Sequence, residues 1–522
     1  MDTDSAAAPA HLGALAGVAA VTLGAGLGEL TALAITPSSS PVASIGGALI
    51  DAAPAWAKDA AISLFGTNDK AALLTGIAIA LFAVACAAGW LELRRPPWGR
   101  VAALALGAVG VAAALTRAQA SPIWAVPSVV AGVAAALILG ALARRARGTA
   151  RAVSPATPVA GADPDGRGAD RRTFLLWSGV ATVAGAIALV GGGIVRASSQ
   201  AASAVRAAVR LPQPVATVAV PAAAELGIPG LAPYVTPNES FYRIDTALVV
   251  PQIDPADWRL RIHGLVAHEV TLTWDELLAL PLEESVTTLA CVSNDVGGDL
   301  ISNAVWLGYP IRALLARAEP AADADMVLST SIDGFTASTP LDVLTDDRAA
   351  ILAVGMNGEP LPAEHGFPVR MVVPGLYGYV SATKWVVDLE VTRFADATAY
   401  WTDRGWSPRG PVKLESRIDV PRAGTAVDAG DAVIAGVAWQ QHVGVAGVEV
   451  QVDDGEWQAA TLASAVSGDT WVQWSLPWRA TSGIHTLRCR AISATGETQT
   501  STVTGVVPDG ATGWHEVRVQ VA

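Results

Sequence analysis

Cysteine is scarce in this chain, with three residues, Cys86, Cys291 and Cys489, among 522. Three thiols cannot form the usual four-ligand structural zinc site, and a disulfide framework is not expected. Each cysteine is therefore a buried small hydrophobe, a nucleophile, or one soft ligand to a metal that a cofactor brings in.

Histidine and basic residues are also few. Only His11 of the seven histidines precedes residue 198, so the N-terminal part cannot supply the histidine pair of a membrane haem, and no haem is expected. The 34 Lys and Arg residues are outnumbered by 47 Asp and Glu residues, which gives a net charge of −13. No basic patch with interleaved aromatic residues occurs, so nucleic acid is not expected as a partner.

Charged residues make up only 16% of the chain, and the long apolar runs are concentrated before residue 200. Five of them approach the length that crosses the hydrocarbon core of a membrane: residues 12–36, 70–90, 101–116, 123–143 and 174–195. Gly24, Gly26 and Gly28 would let helices approach closely, although a merely alanine-rich helix is an equal alternative. We predict a helical membrane domain over residues 1–197 and a linker over 198–221.

Arginines predict the orientation of this domain. They cluster in residues 94–100, between the second and third segments, and in residues 144–151, after the fourth. Cytoplasmic loops are enriched in such residues. Both loops and the N-terminus are therefore predicted to be cytoplasmic, which places the rest of the chain on the outer side of the cytoplasmic membrane.

A further arginine pair precedes the fifth segment. Arg171 and Arg172 are followed by Thr173, Phe174 and an apolar run, and the pattern over residues 170–195 resembles a twin-arginine export signal. The pair also fits ordinary anchoring of a helix by positive charge. A twin-arginine route carries folded proteins, so it would suit a domain that binds its cofactor before export.

Cys291 has the most informative surroundings of the three cysteines. It ends an apolar, β-branched run and enters a polar turn that closes at Gly297 and Gly298. Ligands commonly bind at such a strand-to-loop junction. The stretch T-L-A-C-V-S-N-D-V-G-G-D-L-I-S-N-A-V-W-L-G at residues 288–308 resembles the molybdenum-ligand segment of the sulfite oxidase family of molybdopterin enzymes. The resemblance implies that Cys291 is the metal ligand and the catalytic residue.

Four further segments resemble the same family in the same order. They are residues 236–243, 331–335, 365–375 and 381–385. His365 and Arg370 could bind a phosphate through charge-assisted hydrogen bonds, and main-chain N–H groups of the last segment could bind an anion. Taken alone, Asp333 followed by glycine also signals a simple hairpin. The resemblance assigns cofactor contacts to Asn238, Phe241, Tyr242, Cys291, Asp333, His365, Arg370, Ala382, Thr383 and Lys384.

The chain departs from sulfite oxidases proper at two places. Those enzymes usually have Gly-Ala-Arg before the Lys-Trp pair and an arginine after the cysteine, whereas this chain has Gly-Tyr-Val at 378–380 and Asn-Asp-Val at 294–296. Neutral or acidic residues attract a sulfite dianion less than guanidinium groups do. Sulfite is therefore not the favoured substrate, and the cofactor expectation is unaffected.

Two globular regions follow the linker. Residues 222–400 mix alternating strand patterns with short helical signals, such as a capping box from Thr273 to Glu276, and predict an α+β molybdopterin-binding domain. Residues 405–522 contain short alternating segments, which predict an all-β immunoglobulin-like sandwich with Cys489 in its core. The second region resembles the family's dimerisation domain, which implies a homodimer through residues 405–522.

The sequence thus predicts a membrane-anchored, extracytoplasmic molybdopterin oxidoreductase. It would transfer an oxygen atom in a two-electron step with a small sulfur compound, a sulfoxide or an N-oxide, and exchange electrons with a separate partner. Two other classes stay open. An anchored binding or adhesion protein would make Cys291 structural. A cysteine hydrolase would need a histidine base, for which His263, His268 and His365 are available.

Overall fold

The computed structural model describes residues 10–54, 69–117, 120–151, 165–197 and 200–522. The chain divides into two compact units. A helical unit comprises Met1–Gln200 with Thr246–Pro251, and a β-rich unit comprises Ala201–Asp245 with Gln252–Ala522.

The helical unit contains six α-helices in its described residues. They are α1 (Ala10–Ile35), α2 (Pro41–Ala52), α3 (Asp69–Arg94), α4 (Trp98–Leu115), α5 (Val126–Arg151) and α6 (Asp165–Ala197). All except α2 are long and apolar enough to cross a membrane, so the five predicted apolar segments are confirmed as helices. The predicted export signal over residues 170–195 lies within α6.

Helix α1 packs against α3, α5 and α6. Two of its glycines permit the close approach. A Cβ at Gly24 would lie 2.6 Å from the Ala131 carbonyl oxygen on α5, and one at Gly26 would lie 2.8 Å from the Gly185 carbonyl oxygen on α6. Small residues therefore set the helix spacing at these two positions, which is the first of the two alternatives that the sequence left open.

The β-rich unit begins with α7 (Gln200–Ala208), inside the predicted linker. Arg206 of α7 donates from Nη2 to the Pro360 carbonyl oxygen at 2.7 Å, and from Nε to the Leu361 carbonyl oxygen at 2.8 Å. The Val215 N–H donates to the Leu282 carbonyl oxygen at 2.8 Å. Much of the segment predicted as a linker is thus packed against the region that follows it.

Two sheets build the region that carries the cysteine. The first has the order β2-β1-β10-β5-β6, and the second has the order β3-β4-β7-β8 with β9 also paired to β7. The strands are β1 (Arg259–Gly264), β2 (Val270–Thr273), β3 (Glu283–Ala290), β4 (Ile301–Pro310), β5 (Met326–Ser331), β6 (Thr336–Pro340), β7 (Ile351–Met356), β8 (Glu359–Pro360), β9 (Arg370–Val372) and β10 (Val386–Thr392). The helices are short: α8 (Trp274–Leu278), α9 (Ile311–Ala318) and α10 (Leu341–Thr345).

Local sequence explains how α8 begins. Thr273 Oγ1 accepts a hydrogen bond from the Glu276 N–H, and the Glu276 carboxylate accepts one from the Thr273 N–H at 2.8 Å. This capping box satisfies N–H groups that a helix start leaves without partners. The capping box thus begins a short helix, as the sequence predicts, and that helix buries Trp274 and Leu277.

A hydrophobic core packs against the second sheet. Leu289 of β3, Trp306 of β4 and Ile351 of β7 are almost completely buried, and Phe241 packs against them. The last six residues of β3, Ser285–Ala290, are all buried, so this strand is enclosed on both faces by other parts of the fold. The β3–β4 connection, which begins with Cys291, therefore starts at the end of a buried strand.

Residues 415–521 form two further sheets, with the orders β11-β13-β17-β16 and β12-β19-β18-β14-β15. Their strands are β11 (Glu415–Val420), β12 (Ala426–Val427), β13 (Gly430–Trp439), β14 (Val445–Val452), β15 (Gln458–Ala459), β16 (Thr461–Leu462), β17 (Val472–Ala480), β18 (Gly483–Ser493) and β19 (His515–Val521). Side chains of both sheets form one core, which contains Cys489 with no exposed surface, as predicted. We call residues 411–522 the C-terminal module.

Candidate active site

Cys291 is the first residue after β3, and its backbone closes the turn to β4. Its N–H donates to the Leu300 carbonyl oxygen at 2.9 Å, and its carbonyl oxygen accepts from the Asn294 N–H at 3.1 Å. The Asn294 side chain accepts from the Leu300 N–H at 2.8 Å. These bonds present the thiol from a fixed turn rather than from a free loop.

The thiol of Cys291 is buried, with a residue exposure of 9%. Burial raises its pKa, and the Ser293 N–H and hydroxyl together with the Lys384 charge oppose that shift. No histidine in the described residues forms a hydrogen bond with Cys291. In the described residues, the histidine base that a cysteine hydrolase needs is thus not in hydrogen-bond contact with the thiol. A bound metal, by contrast, can deprotonate a coordinating thiol outright.

Aromatic rings pack together beside His365, one of the predicted phosphate-binding residues. The Phe241 ring stacks on Tyr242 with centroids 5.4 Å apart, and it meets the edges of Trp306 at 5.6 Å and His365 at 5.4 Å. Burial raises the pKa of Tyr242, the Cys291 charge adds to that shift, and the Arg370 charge opposes it. Tyr242 therefore lies within electrostatic reach of both the thiol and the guanidinium.

Arg370 is a buried cation, with an exposure of 3%. Its guanidinium donates to three carbonyl oxygens, those of His365 at 3.1 Å, Met371 at 3.3 Å and Ala382 at 3.4 Å. It lies 5.1 Å from the centre of the Trp306 ring. No carboxylate in the described residues forms an ion pair with it, and burial lowers its pKa to about 10. A buried charge of this kind is costly unless an opposite charge joins it.

His365 offers an open ring nitrogen. Its Nε2 faces the Asn238 carbonyl oxygen at 3.1 Å and so carries the hydrogen, while its Nδ1 is buried without a partner in the described residues. Burial, followed by the Lys384 and Arg370 charges, lowers the pKa of His365 to about 3. An anion placed among these groups would offset both charges, and a protonated Nδ1 could then donate to it.

Lys384 completes the cationic cluster. Its Nζ donates to Asp245 Oδ2 at 3.1 Å and to the Glu364 carbonyl oxygen at 3.0 Å. Burial lowers its pKa to about 8, against the opposing charge of Asp245. Asp245 also pairs with Arg243 at 3.0 Å, so it is shared between two cations. The cluster therefore keeps an excess of positive charge.

The remaining predicted residues have mixed surroundings. Asn238 accepts from Asn357 Nδ2 at 2.8 Å, and the Ala382 N–H donates to the Gly378 carbonyl oxygen at 2.9 Å. Thr383 is fully buried, and its hydroxyl bonds to the Ser329 hydroxyl at 2.7 Å. Asp333 Oδ1 accepts from the Phe335 N–H at 3.2 Å, which closes a turn. The Thr383 and Asp333 side chains thus have partners of their own within the fold.

The donor set fits a molybdopterin phosphate. In the described residues, the buried Arg370 guanidinium has no carboxylate partner and His365 Nδ1 has no hydrogen-bond partner, and Lys384 lies beside them. At Gly366, where φ is +112°, a Cβ would lie 2.9 Å from Arg370 Cβ and 3.2 Å from Lys384 Cα, so only glycine permits this convergence. Within the described residues, no group of three His, Cys, Asp or Glu side chains could hold a bare metal ion. A metal beside Cys291 would therefore depend on ligands that a cofactor supplies.

Sequence reasoning missed several residues of this site. Asp245, which neutralises part of the cation cluster, follows the segment at residues 236–243 by two positions and could have been found by extending it. Trp306 lies within the stretch at residues 288–308 that resembles the family, but the sequence assigned it no role. No sequence pattern linked Glu415 to the site, because it lies in a different predicted domain from Cys291.

Glu415 is a buried carboxyl on β11 near the Cys291 turn. Burial raises its pKa to about 8, and Lys413 and the Asn294 side chain oppose that shift by less. Its Oε1 is buried without a partner in the described residues. The folded chain therefore holds a proton there that an unfolded glutamate, with a pKa of 4.5, has already released at neutral pH.

We expect Glu415 to make the folded state less stable as pH rises from 4.5 to 8, because over that range the folded state binds more protons than the unfolded state. At about 1.4 kcal/mol per pKa unit, the loss is on the order of 3–5 kcal/mol. Glu415→Gln should remove this dependence and raise the melting temperature at pH 8.5, measured by tryptophan fluorescence in detergent. Glu497→Gln, at an exposed position of the same module, should follow the wild type. Equal pH dependence in Glu415→Gln and the wild type would contradict the prediction.

This combination of a turn-borne thiol and a buried anion-binding cluster defines a molybdopterin-binding oxidoreductase domain, and comparison with known proteins agrees. The family described as "Oxidoreductase molybdopterin binding domain" matches residues 247–401. The chain is 33% identical to the oxidoreductase YuiH of Bacillus subtilis over 180 residues, which cover 34% of this chain and 87% of that protein. The chain belongs to the sulfite oxidase family of molybdopterin-dependent oxidoreductases, whose cofactor is molybdenum-molybdopterin.

Two other similarities extend beyond the matched domain. Mitochondrial sulfite oxidase of Rattus norvegicus is 30% identical over 346 residues, which cover 55% of this chain and 62% of that enzyme. The crystal structure of the sulfane dehydrogenase SoxCD from Paracoccus pantotrophus aligns with a TM-score of 0.47 at 24% identity, covering 51% of this chain and 75% of that one. The chain thus spans less than two thirds of the rat sulfite oxidase.

Proposed function

We propose that this protein is a membrane-anchored oxidoreductase that transfers an oxygen atom between molybdenum and a small substrate outside the cytoplasm. The observation that carries the proposal is the buried Cys291 thiol, which shares a site with a buried Arg370 that no carboxylate in the described residues neutralises. Family membership supplies the cofactor for which these two features are suited.

Each predicted site residue has a role in this proposal. The bound cofactor supplies a metal that exchanges an oxygen atom and two electrons with the substrate. Cys291 provides a thiolate ligand, and the Ser293 N–H and hydroxyl stabilise its negative charge. The predicted pterin-contacting residues are Asn238, Phe241, Tyr242, Asp333, His365, Arg370, Ala382, Thr383 and Lys384. Arg370, His365 and Lys384 bind the phosphate, and the Phe241 and Tyr242 rings exclude water from the site.

The anchoring part of the proposal is supported by five apolar helices and by the arginines of residues 94–100 and 144–151. With those loops in the cytoplasm, the β-rich unit faces the outside. We assign residues 222–400 as the catalytic domain and residues 405–522 as an immunoglobulin-like module through which the chain forms a homodimer. Electrons pass to or from a separate partner protein.

The substrate is expected to be neutral rather than a sulfite dianion. The turn after Cys291 has Asn294 and Asp295 where sulfite oxidases have an arginine. The nearby cations Arg370 and Lys384 bind the cofactor phosphate in this proposal, so they do not bind the substrate. A sulfoxide or an N-oxide needs no such positive charge, because its oxygen is only partially negative. This assignment favours a small uncharged oxygen donor or acceptor.

The full chain, purified in detergent from a host that makes molybdopterin, is expected to contain about one molybdenum and one pterin per chain. Elemental mass spectrometry and pterin fluorescence measure both. With dye electron donors and acceptors, kcat/KM should be higher for an alkyl sulfoxide or amine N-oxide than for sulfite. A chain without molybdenum would contradict the enzyme proposal and favour the binding-protein alternative. Protease digestion of intact spheroplasts tests which side the β-rich unit faces.

A further inference from the structure

The turn that carries Cys291 has several internal hydrogen bonds where its two ends meet and fewer at its tip, residues 296–298. The bonds between Cys291, Asn294 and Leu300 join the two ends of the turn. At the tip, residues 296–298, the local bond is one from the Gly298 N–H to the Asp295 carbonyl oxygen at 2.8 Å. Support for the tip has to come largely from outside the turn.

That support comes from the C-terminal module. Arg417 of β11 donates from Nη1 to the Gly298 carbonyl oxygen at 2.7 Å. The His515 ring of β19 lies against Gly297 so closely that a Cβ there would be 2.2 Å from its Cδ2, and Gly297 has a φ of +78°. His515 is itself fixed, because its Nδ1 accepts from the Ile418 N–H at 3.0 Å. Two side chains of one module thus hold the tip of a turn in another.

Arg417 is held rigidly for this task. Its Nε donates to Asp419 Oδ1 at 2.6 Å, and both side chains are only 9% exposed. Asp419 also accepts from the Ala232 N–H at 3.1 Å. A buried ion pair of this kind stabilises a fold no more than apolar packing would, but here it fixes the orientation of the Arg417 guanidinium. Here it aims one guanidinium nitrogen at the Gly298 carbonyl.

The strand that leads into Cys291 is fixed by the same module. The Thr288 N–H donates to the Asp469 carbonyl oxygen at 3.0 Å, and Gln441 Nε2 donates to the Thr288 carbonyl oxygen at 3.1 Å. The Trp471 N–H donates to Thr288 Oγ1 at 2.8 Å. Cys291 is thus held from both sides, at a position three residues before it and at a turn tip six to seven residues after it.

We propose that Arg417 is a positioning residue for Cys291, and that the C-terminal module completes the metal-binding turn instead of serving only as a contact between protomers. The inference rests on the proposed role of Cys291 as metal ligand. Its physical content is separate from that role, because the contacts of Arg417 and His515 with the turn join protein atoms alone. Loss of the Arg417 contact should loosen the turn while leaving the core of the module folded.

The test measures alkylation of individual cysteines in the full chain, made in a host that cannot synthesise molybdopterin. Iodoacetamide labelling is followed by peptide mass spectrometry. Arg417→Gln should speed alkylation of Cys291 about tenfold or more, the factor expected when a hydrogen bond from a charged donor is lost. Cys489, which has no exposed surface in the core of the module, should stay protected. Arg417→Lys, which keeps the charge and one donor, should restore most of the protection.

A second variant distinguishes loss of the Gly298 contact from unfolding caused by the unpaired Asp419 carboxylate. Arg417→Gln with Asp419→Asn removes both charges together, and it should also label Cys291 faster than wild type. Arg490→Gln is the matched control, because Arg490 pairs with Glu449 at 2.7 Å elsewhere in the module. Unchanged Cys291 labelling with Cys489 protected would overturn the proposal, as would equal exposure of both cysteines in both variants. Molybdenum content of the loaded chain tests the ligand role independently.

Discussion

Replacement of Cys291 by serine is expected to reduce turnover on the order of a thousandfold or more. Loss of a group that merely supports a metal ligand costs roughly 10- to 100-fold, and loss of the ligand itself should exceed that. A serine hydroxyl is a harder, poorly ionised donor that does not replace a thiolate. The pterin should remain bound, because Arg370, His365 and Lys384 are unchanged. Absorption bands that arise from the thiolate–metal bond should disappear.

Activity with dye electron carriers, pterin content and visible absorption of the loaded enzyme measure these effects. Cys86→Ser is the matched control, since Cys86 lies half-buried on α3 of the helical unit and should tolerate the change. Activity retained by Cys291→Ser with unchanged spectra would remove the thiol from the metal site. Cys291 would then be a structural cysteine, as the binding-protein alternative supposes.

Local patterns predicted much of the architecture. The five apolar segments are helices, and the capping box at Thr273 begins a helix whose apolar positions are buried. Gly24 and Gly26 lie at close helix contacts. These features depend on neighbours within a few residues or on the length of an apolar run. The segment at residues 200–208 was less predictable, because its helix is fixed by contacts of Arg206 with residues about 150 positions away.

The sequence predicted which residues form the site better than it predicted the contacts between them. His365, Arg370 and Lys384 occur in two neighbouring segments, and the structure brings them together around Gly366. The direction of the Thr383 side chain depends on which face of the backbone meets Ser329, which spacing alone does not give. Arg417 and His515 were beyond sequence reasoning, since they reach the Cys291 turn from strands more than a hundred residues later.

Arg370→Gln is expected to act in opposite directions on the empty and the loaded protein. Without cofactor, the wild type holds a guanidinium that is 3% exposed and has no ion pair in the described residues. Removing that charge relieves a desolvation cost, so the empty variant should melt at the same or a higher temperature. With cofactor, each hydrogen bond from a charged donor contributes about 1.5–3 kcal/mol, so affinity for the pterin should fall on the order of 10- to 100-fold or more.

Melting curves of the empty chain and pterin content of the loaded chain separate the two effects. Arg393→Gln is the control, because Arg393 is one-third exposed and forms ion pairs with Asp323 and Asp396. Its loss should lower stability slightly and leave the pterin in place, since exposed ion pairs contribute about 0–1 kcal/mol. A lower melting temperature of empty Arg370→Gln with full pterin content would mean that Arg370 serves the fold through its three carbonyl contacts. The phosphate would then be held mainly by Lys384 and His365.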